Sequence, residues 1–475
     1  MRYSPLLTDL YELTMLAGYL REGMAAKPAV FDLYFRANPF CGGYAVFAGL
    51  EPALESLADL KFLPEEIGYL HSLHLFTPEV LDYLRHFRFQ GTIAAPPEGS
   101  VVFANEPLLT VSGTLAETQL VETMLLNIIN FQTLVATKAA RICHAAAGAE
   151  VIEFGLRRAQ GPNGGLSAAR AACVGGAKGT SNVLAGMAFG LPVRGTHAHS
   201  WVQSFPDELT AFQAYADVFP ESTVLLVDTY DTLHSGLPNA ITVARRLRDK
   251  GHELRGIRLD SGDLAYLSRE ARRMLDEAGF ANVRILASNE IDEQVIDSIR
   301  DEGGQVDIYG VGTKLATASG EGGVALGGVY KLVAIDGQPK MKMTSDIAKA
   351  TLPGSKRVLR VCTPNGTFIQ DVVCLDQDDK VAAGDTVYDP TNPLRHTTLP
   401  WDAVLADLRQ TVMVQGRRTQ EPETLTRMAK RCRQQLQLLP EGCLRFINPH
   451  QYKVSISGNL KDLRAALLKD TQRRT

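Results

Sequence analysis

Between residues 150 and 330 the chain alternates short apolar runs with helix-like sequence, and this alternation restricts the fold more than any other feature. The runs begin near residues 151, 192, 223, 255, 283, 306 and 329. Strands separated by helical crossovers pair in parallel, because a parallel neighbour cannot be reached through a tight turn. Most runs close on polar residues: Val151–Phe154 on Gly155–Arg158, Pro192–Gly195 on Thr196-His197-Ala198-His199-Ser200, Val224–Val227 on Asp228-Thr229-Tyr230-Asp231. Gly256–Leu259 closes on Asp260-Ser261-Gly262-Asp263, Ile285–Ala287 on Ser288-Asn289-Glu290, and Val306–Tyr309 on Gly310-Val311-Gly312-Thr313. In an α/β barrel the C-terminal strand ends form one active-site mouth, so these tails are expected to converge. Seven runs predict an incomplete α/β barrel, with one unnoticed strand enough to make eight.

The flanks read differently. Residues 1–115 mix helical stretches with short strand-like runs in the manner of an α+β layer, and from Ala116 to Ala147 apolar residues recur at helical spacing. After residue 345 the βα period is lost. The expected organisation is an N-terminal α+β domain with a linking helix over 1–140 and a barrel carrying the active site over 141–345. Residues 346–475 then complete the N-terminal α+β layer and cover the barrel. Lys plus Arg (49) against Asp plus Glu (53) gives a charge of −4, without the positive field that nucleic-acid binding needs. Seven cysteines with no C-x-x-C pair read as reduced thiols of a cytoplasmic protein. Asp9 and Glu12 interrupt any signal-peptide core, and no apolar run approaches membrane-helix length, so no membrane partner is expected.

Several strand ends carry candidate chemistry. His197-x-His199 has the spacing of a barrel metal pair, but no later strand end supplies a further histidine, and either ring can instead be a hydrogen-bonded structural residue. Arg157 and Arg158 after the first strand, and Arg258 on the fourth, suit carboxylate or phosphate ligands, or a salt bridge to Glu153. Gly310-Val311-Gly312-Thr313, with Gly327-Gly328 beyond it, has the small residues of a barrel phosphate site as well as those of a plain turn. No P-loop spacing exists. Asp228, Asp231, Asp260 and Asp263 suit Mg²⁺ or ribose hydroxyls beside a pyrophosphate, or helix N-caps, the capping role fitting Asp231 and Asp263 sooner than Asp260.

Taken in order, these segments resemble the nicotinate phosphoribosyltransferase family. The resemblance runs through Thr8–Met15 (TDLYELTM), Glu153–Gly165 (EFGLRRAQGPNGG), Ser181–Gly186 (SNVLAG), Gly195–Ser200 (GTHAHS) and Arg258–Asp263 (RLDSGD). It continues through Ser288–Glu293 (SNEIDE), Gly310–Thr313 (GVGT), Gly327–Lys331 (GGVYK) and Thr351–Lys356 (TLPGSK). It implies a type II phosphoribosyltransferase fold, an irregular α/β barrel beside an open-faced α+β domain, in a homodimer with shared sites. The implied reaction joins nicotinate to phosphoribosyl pyrophosphate with ATP and Mg²⁺, giving nicotinate mononucleotide, pyrophosphate, ADP and phosphate in NAD salvage.

By the same resemblance His199 is the histidine that ATP phosphorylates, and His197 has no such role. Tyr11 is similar to the aromatic cover of the nicotinate ring, Thr196 to a polar contact of that ligand and Arg258 to its carboxylate partner. Phe154 and Ser200 fall in the same substrate-binding motifs. Gly312 and Thr313 are similar to the ribose-5-phosphate site, Asp260 to a ligand of ribose hydroxyls or metal and Arg157 to an anion contact, while among the strand-end aspartates Asp228 is the expected Mg²⁺ carboxylate by its chemistry alone. Nicotinamide-using relatives carry an acid in the segment matching Gly179–Asn182, which here has none, so the acid is the expected substrate. Nicotinamide or quinolinate transfer, a His-x-His metal-dependent hydrolase and a non-catalytic sugar-phosphate binder are the alternatives.

Overall fold

The computed structural model describes residues 3–322, 324–342, 351–376, 380–392 and 394–472. They form two compact units, Val135–Gly320 and the combination of Met1–Leu134 with Glu321–Thr475. The first is built on five parallel strands: β1 (Glu150–Glu153), β2 (Val224–Leu226), β3 (Gly256–Leu259), β4 (Arg284–Asn289) and β5 (Ile308–Val311). Their order is β1-β5-β4-β3-β2. Val151, Ile152, Leu225, Leu226, Ile257, Leu259, Ile285, Leu286 and Tyr309 are buried, as expected of strands covered on both faces. Val311 pairs with both Glu153 and Asn289, so three strands finish level and their polar tails leave the sheet together.

The turns that follow are fixed locally. Asp231 accepts the N–H groups of Leu233 and His234, Asp263 that of Tyr266, and Asp292 those of Gln294 and Val295. Each aspartate satisfies donors that the first turn of a helix leaves free. Asp231 and Asp263 are thus caps, and Asp260 is not.

The expected barrel does not close. The run at 192 forms no strand: Pro192 has no N–H to give a ladder, and the sheet continues past β1 only by single parallel bridges from Glu153 to Thr180 and from Thr180 to Val193. The run at 329 is a strand, Gly328–Ile335, but only the single-turn helix Thr313–Ala316 precedes it, and it pairs antiparallel with Pro28–Phe35. Backbone pairing therefore leaves β2 as a free edge.

In the other unit, Pro28–Phe35 lies inside a seven-stranded sheet with Gly328–Ile335, Leu109–Thr114, Thr92–Ala95 and, from near the C-terminus, Gln410–Val414. A six-stranded sheet holds Lys356–Cys362 and Phe368–Leu375 as antiparallel neighbours. Its buried Arg360 is tied to Asp371 at 2.7 Å. Among the described residues no helix is long and apolar enough to cross a membrane.

Candidate active site

The polar tails of β2, β3 and β4 meet around Arg258, the third residue of β3. Its Nε donates to Ser288 Oγ at 2.8 Å, one Nη to Thr196 Oγ1 at 3.0 Å and the other to Asp260 Oδ1 at 2.8 Å. Ser288 Oγ also donates to Asp260 Oδ1, which closes a triangle of guanidinium, hydroxyl and carboxylate. Three of the five guanidinium donors are thereby committed, and one on each terminal nitrogen is left for a ligand. The ring of Phe154 lies 5.7 Å from the Arg258 guanidinium. Gly310 leaves room for that ring, since a Cβ there would fall 2.7 Å from it.

Asp260 is held in turn by its neighbours. Its N–H and the hydroxyl of Ser261 both donate to Asp228 Oδ2 at 2.7 Å. Burial alone would raise the Asp260 pKa, but Arg258, the Ser288 hydrogen bond and His199 outweigh it and hold the carboxyl below its ordinary range. The other oxygen, Oδ2, stands 3.7 Å from His199 Nε2, and His199 Nδ1 lies 3.1 Å from Thr229 Oγ1. His199 opens the short helix His199–Gln203 and is half-exposed.

His197 faces elsewhere. It is buried among Phe212 and Tyr215, its Nε2 accepts the N–H of Leu226 at 3.2 Å, and its Nδ1 is 3.4 Å from Ala198 O. Burial, with Arg258 and His199 nearby, pushes its pKa down to about 4, so the ring is neutral. With both nitrogens engaged inside the unit, His197 and His199 are not a pair converging on one ligand. Among the described residues no group of three or more His, Cys, Asp or Glu is placed to hold a metal ion. Asp228 Oδ1 is nevertheless buried without a hydrogen-bond partner among them.

The remaining candidates are distributed around this core. Gly312 and Thr313 begin the single-turn helix after β5, where Thr313 Oγ1 donates to Glu290 Oε1 at 3.0 Å. Arg157, in the turn Leu156–Arg158, and Ser200 are exposed. Tyr11 belongs to the other unit, on the helix Leu10–Arg21, and is 44% exposed. The segment Gly179–Asn182 carries no acid of its own, and the buried Glu153 behind it is taken up by Thr180 Oγ1 and the Gly155 N–H. Ser288, Thr229 and Glu290 have no role in the reading of the sequence. The available signal is a polar residue at the end of an apolar run, which Ser288 shares with many others.

One guanidinium, carboxylates and a half-exposed imidazole gathered at the ends of parallel strands make a site with the chemistry to receive small anions, in the place where α/β enzymes carry theirs. Three family models match the chain: the nicotinate phosphoribosyltransferase N-terminal domain over residues 6–130, the family model over 149–390 and the C-terminal domain over 355–464. The nicotinate phosphoribosyltransferase of Bacillus subtilis is 42% identical over 95% of this chain and 92% of its own length. The crystal structure of human nicotinic acid phosphoribosyltransferase superposes with a TM-score of 0.87 at 34% identity, covering 97% of this chain and 99% of that one. Nicotinate-nucleotide pyrophosphorylase from Pyrococcus furiosus, at 24% identity and a TM-score of 0.70, shares the fold. The chain belongs to the nicotinate phosphoribosyltransferase family.

Proposed function

We propose that the chain transfers phosphoribosyl from phosphoribosyl pyrophosphate to nicotinate, giving nicotinate mononucleotide for NAD salvage, and drives the reaction with ATP through His199. Family membership over nearly the whole chain supports the transfer. The observation that carries the substrate reading is the pair of uncommitted donors on the terminal nitrogens of Arg258, which suits one carboxylate. The Phe154 ring beside that guanidinium gives the pyridine a face, and Thr196 adds a polar contact. Quinolinate would call for further cations, and nicotinamide for an acid in the segment Gly179–Asn182.

Transfer breaks the bond from the anomeric carbon to pyrophosphate and forms one to the pyridine nitrogen, through an oxocarbenium-like state. Asp260, kept ionised, is placed for the ribose hydroxyls and that developing positive charge. Gly312 and Thr313 offer backbone N–H groups and a hydroxyl to the 5-phosphate, with Arg157 at the exposed rim for the anions and Ser200 beside His199 as a further polar contact. Asp228, through its unpartnered Oδ1, is the residue that would hold Mg²⁺, an ion that commonly takes one or two carboxylates and fills its shell with phosphate oxygens and water. Mg²⁺ when bound neutralises charge on the departing pyrophosphate.

Asp260 facing Nε2 of His199 favours the proton on that nitrogen. Nδ1 is then the nucleophile once the Thr229 hydroxyl turns away and frees its lone pair: its bond to the γ-phosphorus forms as the bond to the β-bridging oxygen breaks, and ADP leaves with the electron pair. Two exposed apolar faces support a homodimer with shared sites. Leu7, Leu10, Tyr11 and Met15 form one, on the helix Leu10–Arg21 and its approach; Leu156, Val183, Leu184, Met187 and Val193 form the other, beside the strand ends of the five-stranded unit. Seven cysteines that form no disulfide suit a reducing, cytoplasmic setting. The test is incubation with γ-labelled ATP: wild type is expected to carry acid-labile phosphate and His199→Ala none, with slow ATP-independent transfer persisting. Undiminished label in His199→Ala would end the assignment.

A further inference from the structure

We propose that His197 is a positioning residue whose side chain takes the place of a missing strand, tying the segment Thr196–His199 to the free edge of β2. The sheet runs from Val193 through Thr180 to β1 and ends at β2, and among the described residues no backbone ladder joins its two ends. The chain leaves the bridge at Val193 and four residues later presents His197, whose Nε2 accepts the Leu226 N–H at 3.2 Å. Leu226 is buried, so without this acceptor its N–H would be an unsatisfied donor in the interior.

The imidazole is fixed from its other sides by Tyr215, 4.8 Å between ring centroids, and Phe212, 6.0 Å, both on the helix Glu208–Val218. With Nε2 accepting, the ring proton sits on Nδ1 and points to Ala198 O at 3.4 Å. The residues on either side are the ones this latch sets in place. Thr196 Oγ1 accepts from Arg258, and His199 stands between Asp260 and Thr229, on the far side of the unclosed gap from the 193 bridge.

The role of His199 invoked here rests on the function proposed above, whereas the geometry of the latch does not. Two variants separate the acceptor from the ring. His197→Phe keeps an aromatic ring against Tyr215 and Phe212 but has no acceptor; His197→Gln keeps an acceptor close to the position of Nε2. In His197→Phe the Leu226 amide is expected to exchange hydrogen roughly tenfold faster, the loss of one hydrogen bond. Phosphate incorporation into His199 and kcat/KM for nicotinate are expected to fall by roughly 100-fold, the scale of a misplacement of about 1 Å, with the fall in kcat/KM appearing in KM for nicotinate and not in KM for phosphoribosyl pyrophosphate.

His197→Gln is expected to restore all three measurements to near wild type. If the Phe variant is insoluble, His197→Asn serves the same comparison, because its shorter amide does not span to Leu226. Unchanged Leu226 exchange in the acceptor-less variant, or a Gln variant as impaired as the Phe variant, would overturn the latch. Absence of phosphate from wild-type His199 would instead overturn the phosphohistidine, leaving exchange and the KM split to decide the latch.

Discussion

A neutral, buried His197 makes the stability of its unit depend on acidity in a calculable way. Burial, reinforced by Arg258 and His199, lowers its pKa from an ordinary 6.5 to about 4. Above 6.5 neither folded nor unfolded chain is protonated there, and the site contributes no penalty. As pH falls toward 4 the unfolded chain takes up a proton that the folded chain refuses, so stability is lost as pH falls. The full effect is about 3 kcal/mol, of which about 2 kcal/mol is lost between roughly pH 7 and pH 5. The measurement is equilibrium urea unfolding at both pH values for wild type and His197→Gln. The chain has two tryptophans, and Trp201 lies in the same unit as His197, so Trp401→Phe leaves a single reporter of that unit. The wild-type midpoint should drop on acidification by an amount that the Gln variant lacks. Equal acid sensitivity in the two proteins would refute a neutral His197 in the folded state.

Arg258→Met should weaken nicotinate binding by roughly 2–5 kcal/mol and phosphoribosyl pyrophosphate far less, as titration calorimetry of each ligand would show; unchanged nicotinate affinity would remove Arg258 from the carboxylate. Ser288→Ala should raise the Asp260 pKa, since the Ser288 hydrogen bond is one of the contacts that lower it, and the acid limb of the kcat profile should move to higher pH; a limb left in place would disconnect Ser288 from Asp260. Tyr11→Ala and His199→Ala chains, each without ATP-driven activity alone, should regain up to about a quarter of wild-type ATP-driven activity when co-refolded, because half of the random dimers are hybrids with one lesion-free site in two. Verified hybrid dimers without activity would show that Tyr11 acts within its own chain.

Five of the seven apolar runs became β1–β5 because each has a helical crossover and is buried on both faces, a pattern that period and composition express directly. The runs at 192 and 329 have the same local character. What separates them is the proline in one and the antiparallel partner of the other, and that partner lies some 300 residues away. Asp231 and Asp263 are readable as caps because the groups they satisfy lie within three residues. The convergence of Arg258, Thr196, Asp260 and His199 is legible to the extent that strand ends must meet. Ser288 and Thr229 escape notice because their partners are set by sheet order, which a chain does not spell out. His197 has the spacing of a metal ligand, yet its partner is a backbone N–H at Leu226, a kind of bond with no side-chain signature.

The roles proposed for Arg258 and His199 meet in one activity, ATP-driven transfer of phosphoribosyl to nicotinate. Purified protein should be assayed with Mg²⁺ and phosphoribosyl pyrophosphate against nicotinate, nicotinamide and quinolinate, each with and without ATP, following mononucleotide and pyrophosphate. The expected result is nicotinate mononucleotide as the dominant product, formed faster with ATP and accompanied by ADP. Equal use of nicotinamide, or a nicotinate rate indifferent to ATP with no ADP formed, would contradict the roles given to Arg258 and His199.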